Sequence, residues 1–170
     1  RNDAPAIEGT PHDSIYWGEC YTDTAFSYQL SDSSIIAGGT YTLYLHFAEI
    51  YHGSGNPHYG GGIGSRVFDV DIEGVRILDD FDIIANAGPG HALVYRFDVT
   101  VDGDGMIDFT FTPVIGEAKV SAIEVRNQGD ASDYTPTDPI INLTGSNFPV
   151  EWGHFEATPL ASTSQVELSW

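Results

Sequence analysis

The residues best equipped for chemistry fall in two short stretches of the 170-residue chain. In the first, "IYWGECY", Tyr16, Trp17, Glu19, Cys20 and Tyr21 stand close together. In the second, "YTLYLHFAEIYHG" ends on Glu49, Tyr51 and His52, and His58 and Tyr59 follow inside the glycine-rich run 53–65. Aromatic rings set beside carboxylates and imidazoles suit a sugar, whose apolar face stacks on rings while its hydroxyls need donors and acceptors. Any one of these rings also reads as an ordinary boundary aromatic. As two groups they break the period of two that the inward residues of a strand obey. Glu49 keeps two readings: a polar contact to a ligand, or a clamp that accepts backbone N–H bonds at a strand end.

Other chemistries are poorly served. Nucleophilic catalysis needs Ser or Cys beside a His that a carboxylate orients, and Cys20 in "GECYTD" has no such setting and reads as a small half-buried residue. Glycoside hydrolysis needs two carboxylates at a fixed separation. With 25 Asp and Glu, chance pairs abound, and Asp79, Asp80 and Asp82 in "LDDFD" read as a solvated acidic loop. "DGDG" at 102–105 resembles part of a calcium loop but lacks the distal Glu, so it reads as a hairpin turn. The six His show no zinc spacing. No cofactor is required on this reading, although a structural calcium held by carbonyls and Asp at a sandwich edge would leave no motif.

These residues need a β framework to hold them. Tyr41, Leu43, Leu45 and Phe47 alternate with Thr42, Tyr44, His46 and Ala48 as in a half-buried strand. "AFSYQL" at 25–30, "RVFDVDIEGVRIL", "ALVYRFDVTV", "MIDFTFTPV" and "AKVSAIEVR" supply further strands, with a tight hairpin at Glu73-Gly74. Seven to nine short strands between 20 and 126, with no helix of useful length, predict an all-β sandwich. Residues 1–128 form this unit, 129–139 read as a linker rich in Gly, Asp, Ser, Thr and Pro, and 140–170 as a C-terminal β segment, the cut start of a following domain.

Composition agrees. Hydrophobic residues make up 41% of the chain, enough for a core. A formal net charge of −19 leaves no basic patch for nucleic acid or an anionic membrane surface, and fits a neutral or cationic partner. The single lysine, Lys119, fits a surface adapted to salt. One cysteine makes no internal disulfide, as a bacterial secreted protein tolerates. No apolar run approaches the ~20 residues of a membrane span. The chain starts at Arg1, as it would after removal of a signal peptide.

The order and spacing of "GTYTLYLHFAEIY", "SRVFDVDIEGVRILDDFDI" and "VIGEAKVSAIEV", preceded by "IYWGECYTDTAFSYQL", resemble the malectin and malectin-like domains over residues 14–126. The resemblance implies a jelly-roll-like antiparallel β-sandwich with a carbohydrate site built from loops at one end, used as a non-catalytic binding module in larger secreted or cell-surface proteins. It implies stacking by Tyr21 and Tyr51, with His52 standing where animal members carry a further aromatic. The family's site Asp falls at Gly116, with Glu117 next to it, and an Arg often found beside the conserved Glu is Cys20. The tail from Ile140 resembles, over a short stretch, a domain found in large surface proteins of gliding-type bacteria. The expectation is a bacterial module that recognises an oligo- or polysaccharide, such as a glucan. Tyr16, Trp17, Tyr21 and Tyr51 would act as platforms, and Glu19, Glu49, His52, His58, Tyr59 and Glu117 as polar contacts. The alternative is a structural or adhesive spacer whose site has decayed. The two differ in whether the aromatics face outward together or pack inward.

Overall fold

The computed structural model describes residues 6–53 and 60–127. The linker 129–139, the segment 140–170 and the middle of the glycine run lie outside them. Among the described residues the chain forms nine strands: β1 (Cys20–Thr22), β2 (Phe26–Leu30), β3 (Thr40–Phe47), β4 (Val67–Ile72), β5 (Val75–Phe81), β6 (Leu93–Thr100), β7 (Ile107–Ile115), β8 (Ala118–Val120) and β9 (Ala122–Asn127). A 3-10 turn at Asp13–Tyr16 and a short helix α1 (Ile83–Ala87) complete it.

Every strand pairing is antiparallel, in a four-stranded sheet β2-β7-β4-β5, a three-stranded sheet β6-β3-β9 and a two-stranded ribbon β1-β8. One core lies between the two larger sheets. The period-two residues Tyr41, Leu43, Leu45 and Phe47 of β3 meet Phe68 and Val70 of β4 and Phe109 and Phe111 of β7 there. Phe47 stands 5.9 Å from Phe68 and 5.0 Å from Phe81, ring centre to ring centre, which pins one sheet to the other by tilted aromatic contacts. This is the all-β sandwich the alternation predicts.

Local chemistry explains the connections. Glu73 and Gly74 both sit at positive φ, as a two-residue hairpin between β4 and β5 demands. Asp102 and Asp104 turn the chain by accepting the N–H groups two residues on. "AKVSAIEVR", expected as one strand, is two. At Ser121 the chain leaves the β1 ribbon for β3, and the Ser121 N–H donates to the His46 carbonyl at 2.9 Å. Asp79, Asp80 and Asp82, expected in a solvated acidic loop, lie in a strand and at a helix cap instead, with Asp79 and Asp80 exposed and Asp82 buried. Asp79 is in β5 and pairs with Arg76, Asp80 sits at φ 48° beside a register shift, and Asp82 caps α1 by accepting the Ala85 N–H.

A second, smaller core of Ile7, Tyr16, Ala48 and Ala92 closes the end of the sandwich at which β3 finishes. That end carries both groups of candidate residues.

Candidate functional site

The site is assembled around buried charges. Lys119, on the two-stranded ribbon, is fully buried; its Nζ donates to Glu19 Oε2 and, at 2.6 Å, to the Ala48 carbonyl. One residue further along, Glu49 is equally buried. Its Oε1 accepts the N–H groups of Tyr51 and His52 at 2.9 and 3.0 Å, and its Oε2 accepts Arg66 Nε at 2.6 Å. Arg66 Nη1 then reaches the Glu117 carbonyl at 3.1 Å and its carboxylate at 3.2 Å. Glu19, Lys119, Glu49, Arg66 and Glu117 thus run as one chain of opposite charges through the end of the sandwich. It ties the segment before β1, the turn after β3, the entry to β4 and the β7–β8 turn to one another.

The electrostatics follow. Burial pushes the Glu49 carboxyl up, but Lys119, Arg66 and the two backbone N–H groups outweigh it and hold the group below the ordinary carboxylate range. Burial drags the Lys119 ammonium down from its ordinary range, against the opposing pull of Glu19 and Glu49. A chain of this kind depends on every member, because a single unpaired charge left in the interior is costly.

Around this frame the aromatics divide. Trp17, Tyr21 and Tyr51 are 48, 58 and 44% exposed. Tyr21 pairs with Lys119 across the ribbon and stands on the same face. Tyr51 meets His52 edge to face, 4.9 Å between ring centres. The His52 ring is held in turn, with Nδ1 3.0 Å from the Gly60 carbonyl. Gly61 leaves room for it, since a Cβ there would come within 2.7 Å of His52 Nδ1 and of Ser65 Oγ.

Two expected contacts are corrected. Tyr16 is no platform: it is wholly buried in the smaller core, and its hydroxyl shares a 3.3 Å hydrogen bond with His46 Nδ1. Glu49 is no ligand contact, since both its oxygens are spent on Tyr51, His52 and Arg66, so the strand-end clamp is the reading that holds. Glu19 is largely covered and bound to Lys119, whereas the Glu117 side chain is 38% exposed despite its pair with Arg66. His58 and Tyr59 lie outside the described residues. Of the expected site, the structure therefore brings Tyr21, Tyr51, His52 and Glu117 to one end, with Trp17 at the close of the 3-10 turn nearby.

Sequence reasoning missed Lys119 and Arg66. Lys119 is a core residue, not a salt-adapted surface lysine, and its signal was a sole lysine set between Ala118 and Val120 in an apolar strand. Arg66 opens the "RVFDVDIEG" strand and gave no signal of its own. Gly116 is fixed by its surroundings as well. It sits at φ +69°, where a Cβ would lie 2.7 Å from the Ser65 carbonyl oxygen, so the backbone of the glycine segment occupies the space beside it. Among the described residues no group of three or more His, Cys, Asp or Glu is placed to hold a metal ion.

The arrangement is that of an antiparallel β-sandwich with exposed rings and a half-exposed carboxylate at one end, held by a buried chain of charges. A family model, the Malectin domain, matches residues 2–131, and the chain belongs to that family, whose domains bind carbohydrate rather than catalyse its turnover. Malectin of Mus musculus is 32% identical over 85 residues, 49% of this chain and 25% of its own length. The kinesin-like protein KIN-14E of Oryza sativa is 33% identical over 129 residues, 72% of this chain and 11% of its own length. Among solved structures, the ANXUR1 extracellular domain of Arabidopsis thaliana matches with a TM-score of 0.60 and 18% identity, over 82% of this chain and 39% of that one. A Bacteroides uniformis β-glucuronidase matches with a TM-score of 0.56 and 17% identity, over 72% of this chain and 13% of that one. At such identities these structures support the fold alone. The chain spans between 6 and 27% of the length of the curated relatives it matches.

Proposed function

We propose that the chain is a non-catalytic module that binds an oligo- or polysaccharide, a glucan among the candidates, through Tyr21, Tyr51, His52 and Glu117, with Trp17 extending the platform. The observation that carries the proposal is that Tyr21, in register with Lys119, and Tyr51, whose N–H donates to Glu49, are tied to one buried network. They come from two distant stretches and remain about half exposed. A sugar stacked on such rings gains affinity from apolar contact, and Glu117 offers an acceptor for its hydroxyls. A shallow site of this type binds in the micromolar to millimolar range, about −4 to −8 kcal/mol.

The proposal includes a setting outside the cytoplasm, in a larger secreted or cell-surface polypeptide. Its support is the likeness in fold to a receptor's extracellular domain and the small share of its relatives' length that the chain spans. The bacterial origin rests on the resemblance of residues 140–170 alone.

The test is calorimetric titration with α- and β-glucan, xylan, agarose and alginate oligosaccharides, using Tyr51→Ala as the control. Saturable binding to one of them that the substitution weakens supports the proposal. A well-folded protein that binds none of them overturns it in favour of the spacer or adhesive role.

A further inference from the structure

Polar side chains at the mouth of a sugar site decide which charge class of glycan enters. An acidic glycan carrying uronate or sulfate groups is held by cations free to face it, preferably the forked guanidinium of Arg. The structure accounts for every Lys and Arg among the described residues. Arg66 is buried and divided between Glu49 and Glu117. Lys119 is buried on Glu19. Arg76 is shared by Asp69, Asp71 and Asp79. Arg96 pairs with Asp98 at 3.0 Å, and Arg126 with Glu124. Each cation is committed to at least one carboxylate of the protein itself.

The balance at the site points the same way. The buried chain holds three carboxylates against two cations, one negative charge in excess. Its most exposed member is the Glu117 carboxylate, next to the turn at Gly116. Beyond it lies a polypeptide of net charge −19. An approaching uronate meets a like charge at the mouth, a repulsive field at longer range, and no uncommitted Lys or Arg among the described residues as compensation.

We infer that the site is selective by charge: it takes uncharged glycans and rejects polyuronates and sulfated glycans, with Glu117 as the residue that sets the discrimination. The inference rests on the carbohydrate-binding proposal above and adds the chemical class of ligand. Glu117 acts in two ways. Its carboxylate repels an anion directly, and it occupies Arg66 Nη1 at 3.2 Å.

Two sets of hexasaccharides test it. Laminari-, malto-, cello- and xylohexaose form the neutral set, and hexagalacturonate and hexamannuronate the acidic one. The expected result is saturable binding of at least one neutral sugar, with an affinity that does not change between about 0.05 and about 0.5 M NaCl. Each acidic sugar is expected to bind at least about tenfold more weakly than that neutral one. In Glu117→Gln the ratio of neutral to acidic affinity falls at least about threefold, because one charge is gone and Arg66 is partly released. The ratio is the readout, so a general loss of affinity in the variant does not mimic the effect. An acidic hexasaccharide that binds wild type as tightly as the best neutral one, with an affinity that weakens as salt rises, overturns the inference while leaving carbohydrate binding intact. A ratio unmoved by Glu117→Gln overturns the role of Glu117. Failure of both sets against folded protein overturns the carbohydrate proposal, and this inference with it.

Discussion

Arg66 Nε donates to Glu49 Oε2 at 2.6 Å, and both side chains are shut away from solvent. Glu49 lies two residues past the end of β3 and Arg66 immediately before β4, so this one contact closes the glycine-rich excursion between them. With its other oxygen Glu49 fastens the backbone of Tyr51 and His52. The ring proposed to bind is therefore aimed by a group whose two oxygens are both engaged within the protein.

Removing that charge should unfold the end of the sandwich. In Glu49→Gln the amide keeps the shape but takes away the buried carboxylate that Arg66 Nε donates to and that faces Lys119, so each cation keeps one charged partner, Glu117 for Arg66 and Glu19 for Lys119. Since Glu117 and Glu19 still compensate in part, the loss is expected near the lower end of the range for broken buried pairs, about 3 kcal/mol. Denaturant unfolding at pH 7 checks it. A change under about 0.5 kcal/mol, the level of an ordinary surface substitution, would contradict the buried-chain account.

The same group shapes the acid limb of stability. Glu49 titrates below its ordinary value of 4.5 in the folded protein. A depressed carboxylate contributes stability that is fully present above the unfolded-state value and is lost as pH falls through the folded one. Glu124 shifts in the same direction: burial raises it, and His46 and Arg126 more than compensate. Thermal unfolding is thus expected to be flat from about pH 7 to 5 and to decline below about pH 4.5. The gap between wild type and Glu49→Gln should narrow as the pH drops. A gap that widens on acidification has the wrong sign for this mechanism.

The two groups of aromatics should separate stability from binding. Tyr16→Ala empties a fully buried site and breaks the contact to His46, so about 3 to 5 kcal/mol of stability goes with it. Tyr21→Ala and Tyr51→Ala remove half-exposed rings, so unfolding is expected to shift by no more than about 0.5 kcal/mol. Glycan affinity should fall roughly tenfold in each. Calorimetry on all three variants, alongside melting curves, distinguishes the roles. Equal loss of binding from Tyr16→Phe, which keeps the ring, would return Tyr16 to the site.

Much of this was legible in the alternation. Tyr41 to Phe47 and Ile107 to Phe111 announce strands because the pleat forces every second side chain into the core, and the hairpin at Glu73-Gly74 follows from backbone geometry. Tyr16 was misassigned because it lies in an irregular lead-in, where no period tells inward from outward. Helix α1 escaped notice because five residues are too few to display a helical repeat. Lys119 and Arg66 escaped for a different reason. Nothing in a one-dimensional pattern pairs a charge on β8 with one after β3, so a buried network of opposite charges looks from the sequence like scattered surface residues.

Asp82 links α1 to the glycine segment. One carboxylate oxygen accepts the Ala85 N–H at 3.1 Å and the other the Gly64 N–H at 2.5 Å. Asp82→Ala is expected to cost about 1 to 2 kcal/mol through the lost cap and to speed hydrogen exchange at Gly64 more than at the β3 amides. Uniform acceleration across the domain would mean that the tether has no local role.

Gly116 offers the sharpest contrast between resemblance and structure. The family's site Asp aligns here, so Gly116→Asp looks like a restoration of the sugar acceptor. The geometry predicts the reverse. At φ +69° a side chain is strained, and its Cβ would lie 2.7 Å from the Ser65 carbonyl oxygen, closer than van der Waals contact permits. The Ser65 backbone is itself fixed, its N–H donating to the Gly62 carbonyl at 3.0 Å while its hydroxyl accepts the Gly62 N–H at 2.9 Å. Either the 62–65 turn must shift or the β7–β8 turn must open, and the latter moves Glu117 away from Arg66. Gly116→Asp is therefore expected to lose about 1 to 3 kcal/mol of stability and to bind glycan no better than wild type. Gly116→Ala should show nearly the same loss, because the Cβ alone provokes it. Tighter binding in Gly116→Asp at unchanged melting temperature would show that the turn yields freely and that the acceptor belongs at 116 after all.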